Sequence, residues 1–418
     1  MEITASVRNQ TKHAIYLPAI QPAYALGVMK PKASRKLPAG ASLQDLNFFR
    51  PGSKFFNLDA GLYSAGQIKD HRNPPRCMVS TRARASTLVM GDSGGYQIAT
   101  GQLGITPNKR EDIFHWLVNT CDLAMTLDVP TRALQARKTT RYLTFDDCLY
   151  GTLGHLEAFK ALGGEQWRFL NVLQGLDLQQ SDVWYDAVKR YNFYGWAISG
   201  SQKKTLKHLL WRVLHLIKDG KFDKDETWLH FLGVSDLKTA VLLTTLRDVL
   251  QQKFPSCTIQ VSYDTSTPFF MAGTKLSALD RPTLSASTLR IPSYQIDKAS
   301  WANSREKFPY KFSTISQFLR KGDIIRRDWT GATGPDNLGY LMLMNHNVEV
   351  QVASIDALHS LLESGLPRQH LQQLLPRYLL EAMDEIEAVL MAPTLRAAWD
   401  RLQKKKTLRI LDNGYRSV

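Results

Sequence analysis

Three aspartates in this chain each stand at or near the end of an apolar run. Asp92 ends "STLVMGD" and is followed by Ser93, Gly94, Gly95, Tyr96 and Gln97; Asp128 ends "CDLAMTLD"; Asp264 lies in "TIQVSYDTS". Other polar groups close the runs between them. Gln174 and Gly175 end "RFLNVLQG", Ser199, Gly200 and Ser201 end "FYGWAISGS", and Leu232 precedes Gly233, Val234 and Ser235 in "WLHFLGVSD". Taken singly, each is also readable as a turn, a cap or a backbone tie, because Asp, Ser and Gly populate turns. It is their recurrence, run after run, that points to a site. Two carboxylates can divide a displacement at a sugar carbon: one attacks and forms a covalent glycosyl-enzyme, the other moves protons at the leaving group. A third carboxylate beside a primary amide and a backbone N–H suits the edge of a guanine-like base, accepting from its N–H groups while the amides donate to its carbonyl. Tyr96 offers a ring for stacking on that base.

These groups need a scaffold that gathers strand ends. Two further β-favouring runs, residues 13–20 and 54–61, precede the six above and bring the total to eight. Helical spacing of apolar residues fills most intervals, at residues 109–120, 150–163, 179–191, 206–220 and 236–253. Strand and helix in alternation predict parallel βα units, and about eight of them predict a TIM (β/α)8 barrel, whose functional groups sit at the carboxyl ends of the strands. Residues 1–266 are expected to form the barrel with its site. Residues 267–335 break the alternation as a basic, aromatic insertion; residues 336–365 read as the last barrel helix, and residues 366–418 as a helical, basic extension.

The 418 residues include 53 Lys and Arg against 38 Asp and Glu, a net charge of +15. Such an excess suggests a polyanionic partner, most often nucleic acid, or simply a basic surface. The four cysteines, Cys77, Cys121, Cys148 and Cys257, have no metal-ligand spacing, so neither metal nor cofactor is expected. Their scatter suits a reducing compartment. The amino-terminal segment has no apolar signal core and no run has membrane-spanning length, so a soluble, cytoplasmic protein is expected, without a membrane partner.

The hexapeptide "DSGGYQ", Asp92–Gln97, resembles the "DSGGFQ/DSGGYQ" motif of the queuine and archaeosine tRNA-guanine transglycosylases. Other segments resemble that family in its own order. "DLAMTLDVP" is similar to its base-recognition strand and "NVLQG" to its glutamine-glycine segment. "YGWAISGS" is similar to "GYAIGGL", and "LHFLGVSD" to "HYLMGVG". "SYDTSTPF" stands where the family has "FDCVLPTR", and "LMLMNHNVEVQVASIDAL" resembles its late helix. The likeness spans roughly residues 16–361.

The resemblance implies a pentosyltransferase with these roles. Asp264 is the nucleophile at C1′ of the target nucleotide. Asp92 is the general acid/base that protonates the leaving guanine and deprotonates the incoming base. Asp128, Gln174 and the Gly200 amide read the purine, with Ser199 and Ser201 beside them; Tyr96 and Leu232 sandwich it, and Ser93 supports the pocket. Two departures from the family are plain. No cysteine follows Cys257, so the family's zinc site is missing, and "SGS" at residues 199–201 replaces "GGL". A zinc-free, basic member with both aspartates resembles most the branch that exchanges guanine in DNA for a 7-deazaguanine. The expected partners are duplex DNA and a free guanine or 7-deazaguanine base, with tRNA as the alternative polymer; the oligomeric state is left open, a monomer included. A non-catalytic nucleic-acid-binding subunit is a third reading, which the retained aspartates count against.

A base inside a duplex must be flipped out to reach a barrel mouth, at a cost of a few kcal/mol, and cations on the phosphates can offset it. The expected contacts are Arg82 and Arg84 before the third run, Lys203 and Lys204 after the sixth, and Arg326 and Arg327 in the insertion. Phe308, Tyr310, Phe318 and Trp329, which interleave with the insertion's charges, are expected to pack a small core, with wedging into a duplex as the alternative.

Overall fold

A computed structural model describes residues 12–136, 141–203, 205–328 and 330–415. Eight parallel strands form one sheet: β1 (Ile15–Pro18), β2 (Ala60–Ser64), β3 (Leu88–Asp92), β4 (Leu123–Met125), β5 (Phe169–Leu173), β6 (Gly195–Ile198), β7 (Glu226–Phe231) and β8 (Thr258–Thr265). From β2 to β8 each pairs with its sequence neighbour, and β8 pairs in turn with β1. A single parallel bridge between Ala19 and Leu62 brings β1 back to β2. The result is the TIM-type α/β barrel that the alternation predicts.

Side-chain alternation explains how apolar strands build two cores at once. Leu17, Leu62, Leu88, Met90, Leu170, Val172, Ala197 and Trp228 belong to an inner cluster. Their neighbours Tyr63, Val89, Phe169, Leu173, Ile198, Leu229 and Val261 pack with the surrounding helices. The inward parity, carried two residues on, leads from Met90 to Asp92 and from Val172 to Gln174. On β7 it leads from Trp228 through His230 to Leu232, and on β8 from Gln260 through Ser262 to Asp264.

The helices of the barrel are α1 (Pro22–Gly27), α2 (Gly95–Ala99), α3 (Pro107–Thr120), α4 (Phe145–Ala161), α5 (Leu178–Val188), α6 (Leu206–Lys218) and α7 (Leu237–Lys253). Caps fix where the longer ones begin. Thr106, Thr144, Asp177, Thr205 and Asp236 each accept a backbone N–H of the first turn. For α4 this starts the helix at Phe145 rather than at residue 150, because Thr144 and Asp147 form a capping box ahead of the apolar pattern. The second strand also departs from expectation. The run at residues 54–61 lies mostly before β2; its Phe55 and Phe56 pack with Phe48 and Phe49 in the outer core, and the strand proper starts at Ala60.

After β8 come α8 (Thr267–Gly273), α9 (Lys298–Trp301) and α10 (Lys321–Ile324), with three small antiparallel ribbons among the described residues. The last barrel helix, α11 (Asn337–Leu362), fastens this insertion with buried polar side chains. Asn347 accepts from the Leu279 N–H at 2.8 Å and donates to the carbonyls of Pro268 and Ser277. His346 bridges the Ser313 hydroxyl, 2.6 Å away, and the Leu279 carbonyl, 2.8 Å away. Phe308 and Tyr310 pack with Trp301 and Tyr294 in a small aromatic core. Phe318 is exposed, and Trp329 lies outside the described residues. The extension forms α12 (Arg368–Leu374), α13 (Arg377–Leu390), α14 (Leu395–Gln403) and α15 (Lys405–Tyr415). Of these α13 lies on α7, and α14 on α6 through Trp399 against Trp211 at 4.5 Å. No described helix is long and apolar enough to cross a membrane.

Candidate active site

A cavity of about 810 Å³ opens at the carboxyl ends of the strands. Asp92, Tyr96, Asp128, Gln174, Ser199, Gly200, Leu232 and Asp264 all line it. They come from positions spread widely along the sequence, and the barrel alone brings them together.

Glycines make the approach possible where "DSGG" leaves β3. Gly94 has φ 98°, in the left-handed region, and a Cβ there would stand 2.6 Å from the Gly66 Cα. A Cβ on Gly95 would stand 2.8 Å from Asp128 Oδ1. The turn therefore seats two backbones and a carboxylate against one another. It also aims the Gly94 N–H at Asp92 Oδ1, 3.2 Å away.

The carboxylates differ in their surroundings. Burial raises the pKa of Asp92; hydrogen bonds from the Ser64 hydroxyl and the Gly94 N–H oppose the rise, and the charge of Asp264 adds to it. Burial pushes Asp128 up to about 7, against the Gln174 amide, with the charge of Asp92 adding to the rise. The Gln174 Nε2 donates to Asp128 Oδ2 at 2.8 Å. Gln174 is itself held from behind: Gln202 donates to its carbonyl at 3.2 Å, and the fully buried Arg212 donates to Gln202 at 2.8 Å. Asp264 receives the Gly233 N–H on Oδ1 at 2.8 Å, and His230 Nε2 stands 3.3 Å from the same oxygen.

At the mouth, Tyr96 is 52% exposed, with the Arg132 guanidinium 5.4 Å from its ring centre. Leu232 also lines the cavity. No model of a known protein family matches the chain, and no curated protein matches its sequence.

Several expectations need correction. Ser93 is fully buried, and its hydroxyl donates to the Thr126 carbonyl at 3.0 Å; it ties β3 to β4 and does not line the cavity. Arg82 and Arg84 precede β3 and therefore sit at the amino end of the barrel, opposite the mouth. The side chain of Arg82 is 1% exposed and pairs with Asp122 at 2.8 Å, just ahead of β4, while Arg84 donates to the Asn119 carbonyl. Both serve the closed end of the barrel. Arg326 and Arg327 are exposed on a ribbon of the insertion. Lys204 lies outside the described residues, as do the side chains of Ser201 and Lys203.

Other residues escape sequence reasoning. Ser64, Gln97 and Arg132 line the cavity, and His230 and Ser262 lie beneath Asp264. Inward parity on β7 and β8 is the signal that finds the last two. Arg132 follows β4 in a short 3-10 helix, Thr131–Ala136, that carries no comparable pattern. Among the described residues, no three His, Cys, Asp or Glu side chains converge as a metal site, and all four cysteines are buried and free.

Proposed function

We propose that this barrel is a base-exchange transglycosylase that replaces guanine in DNA with a 7-deazaguanine through a covalent aspartyl intermediate. What carries this reading is the meeting of two differently held carboxylates, Asp92 and Asp264, with the Asp128–Gln174 pair in one cavity. The Asp264 carboxylate attacks C1′ of the flipped nucleotide. As the C1′–O bond forms, the C1′–N bond to guanine breaks, and Asp92 gives its proton to the departing base. The raised pKa of Asp92 favours the protonated form that this step requires. The incoming base then loses its N–H proton to Asp92, and its nitrogen displaces Asp264 from C1′.

Recognition of the base uses the opposite wall. Asp128 accepts from N–H groups on the purine edge. A primary amide carries two N–H hydrogens, so Gln174 can hold Asp128 with one and the purine carbonyl with the other. The Gly200 amide adds a donor, with φ 63° and no room for a Cβ, which would stand 2.5 Å from the Gly175 carbonyl oxygen. Tyr96 and Leu232 stack on the two faces. The exposed Arg326 and Arg327 of the insertion, and Arg132 at the mouth, are the cations that would meet the phosphates.

The test is exchange of a labelled base. With labelled guanine or a 7-deazaguanine, label should enter duplex DNA. Label entering tRNA but never DNA would transfer the activity to the other polymer, and label entering neither would refute the exchange reading.

A further inference from the structure

The geometry points to His230 as the residue that positions the Asp264 carboxylate, through a hydrogen-bonded chain of fixed polarity inside the barrel. Its kinetic consequence rests on the base-exchange reading; the arrangement itself does not. Trp228, His230 and Ser262 are buried side chains of β7 and β8, and all point inward by strand parity. The Trp228 indole Nε1–H donates to the Ser262 hydroxyl oxygen at 2.7 Å. Ser262 Oγ lies 2.9 Å from His230 Nδ1. An indole N–H can only donate, so at Ser262 the oxygen accepts from Trp228; His230 Nδ1 is the one remaining hydrogen-bond partner of that hydroxyl among the described residues, so the hydroxyl hydrogen is spent there. Nδ1 is then the acceptor, and the neutral ring carries its proton on Nε2.

That proton meets Asp264. Nε2 stands 3.3 Å from Oδ1, off the line of a full hydrogen bond, and has no other partner among the described residues. Contacts of this kind tighten when substrate arrives. The Gly233 N–H bonds the same oxygen at 2.8 Å and the imidazole stands beside it, so Oδ2 is the oxygen presented to C1′. No proton passes through His230. When Oδ2 bonds to C1′, Oδ1 becomes the ester carbonyl, keeps the Gly233 N–H and takes up the His230 Nε2–H. When the incoming base expels Asp264, the same donors receive the restored charge. The charged groups facing the imidazole are Asp264 and, at longer range, Asp92. A neutral donor fixed by Trp228 therefore orients the nucleophile without adding an acid to the site.

Two readouts test this. In nitrogen-15 spectra of the histidine-labelled protein, the His230 signal, assigned by its loss in His230→Gln, should show a protonated Nε2 and an accepting Nδ1. Ser262→Ala should release that tautomer. In exchange kinetics, His230→Phe should lower kcat by about 100-fold, the scale of a misplaced reacting group. KM for the free base, which Asp128 and Gln174 hold, should stay within about threefold, and His230→Gln, which can place an N–H near Oδ1, should recover about tenfold of the loss. If His230→Phe does not fold, His230→Gln and Ser262→Ala carry the same comparison. A proton on Nδ1 in the wild type would overturn the proposal, as would folded variants with unchanged kcat. The stated tautomer in a protein that exchanges no base would support the arrangement and refute the base-exchange reading alone.

Discussion

On the proposed function, Asp128 is where base binding and stability pull against each other. Its folded pKa of about 7 stands above the ordinary 3.8, so between those values the folded chain binds a proton that the unfolded chain does not. Stability should therefore fall as pH rises from about 4 to about 7 and level off above. Asp128→Asn keeps the shape and an oxygen for Gln174 while removing the buried charge. It should stabilise the protein at about pH 8, by at most about 4 kcal/mol, and hardly at all at about pH 4. Urea unfolding at the two pH values checks this; an equal shift at both would remove charge burial as the cause. The same variant should lose purine binding, because the acceptor for the base's N–H groups is gone. Asp128 is legible in the sequence because it follows a strand that feeds the barrel mouth. His230 and Ser262 are passed over because they sit inside apolar runs, and only counting back by twos from Leu232 and Asp264 shows that they face inward. Ser93 stands behind the cavity wall rather than on it, because its hydroxyl faces the neighbouring strand, which its serine-glycine setting does not reveal.

At the scale of elements, a turn and a helix do most of the positioning. Gly94→Ala would force a side chain into a left-handed conformation and against the Gly66 backbone, so about 1–3 kcal/mol of stability should be lost. Gly95→Ala should act differently. Its Cβ would press on the Asp128 carboxylate and Pro130, weakening base binding more than folding. Thermal unfolding set beside base binding separates the two variants; equal effects on both properties would contradict this division. Asn347 in α11 makes three hydrogen bonds to β8-proximal and insertion backbone, and Asn347→Ala should cost about 1–3 kcal/mol by leaving buried groups unpaired. Periodicity marks α11 almost to its ends, since its apolar residues are buried along its length. It misses the start of α4 and the position of β2. A cap chooses where a helix begins, and the phenylalanines at 55 and 56 pack as loop residues in the outer core rather than in a strand.

For the whole molecule, net charge says that a polyanion is plausible and nothing about which end of the barrel meets it. The proposed base-exchange site lies at the carboxyl ends of the strands, so DNA is proposed to meet that end. Arg326 and Arg327 are exposed on the insertion, whereas Arg82 is committed to Asp122 at the closed end. Replacing Arg326 and Arg327 by Gln should weaken DNA binding and reduce the salt dependence by up to about 2 in slope, about 0.9 for each phosphate no longer neutralised. Arg82→Gln should leave the slope unchanged and lower the melting temperature, because it strands a buried carboxylate. Titrations across a salt series decide this, and a slope that responds to Arg82 instead would reverse the assignment.

The proposed mechanism requires that Asp264 become bonded to the sugar. Wild-type protein mixed with duplex DNA should, after acid quenching and proteolysis, yield a nucleotide joined to the peptide that contains Asp264, and Asp264→Asn should yield neither adduct nor exchange. An Asp264→Asn variant that still exchanges base at the wild-type rate would contradict the account.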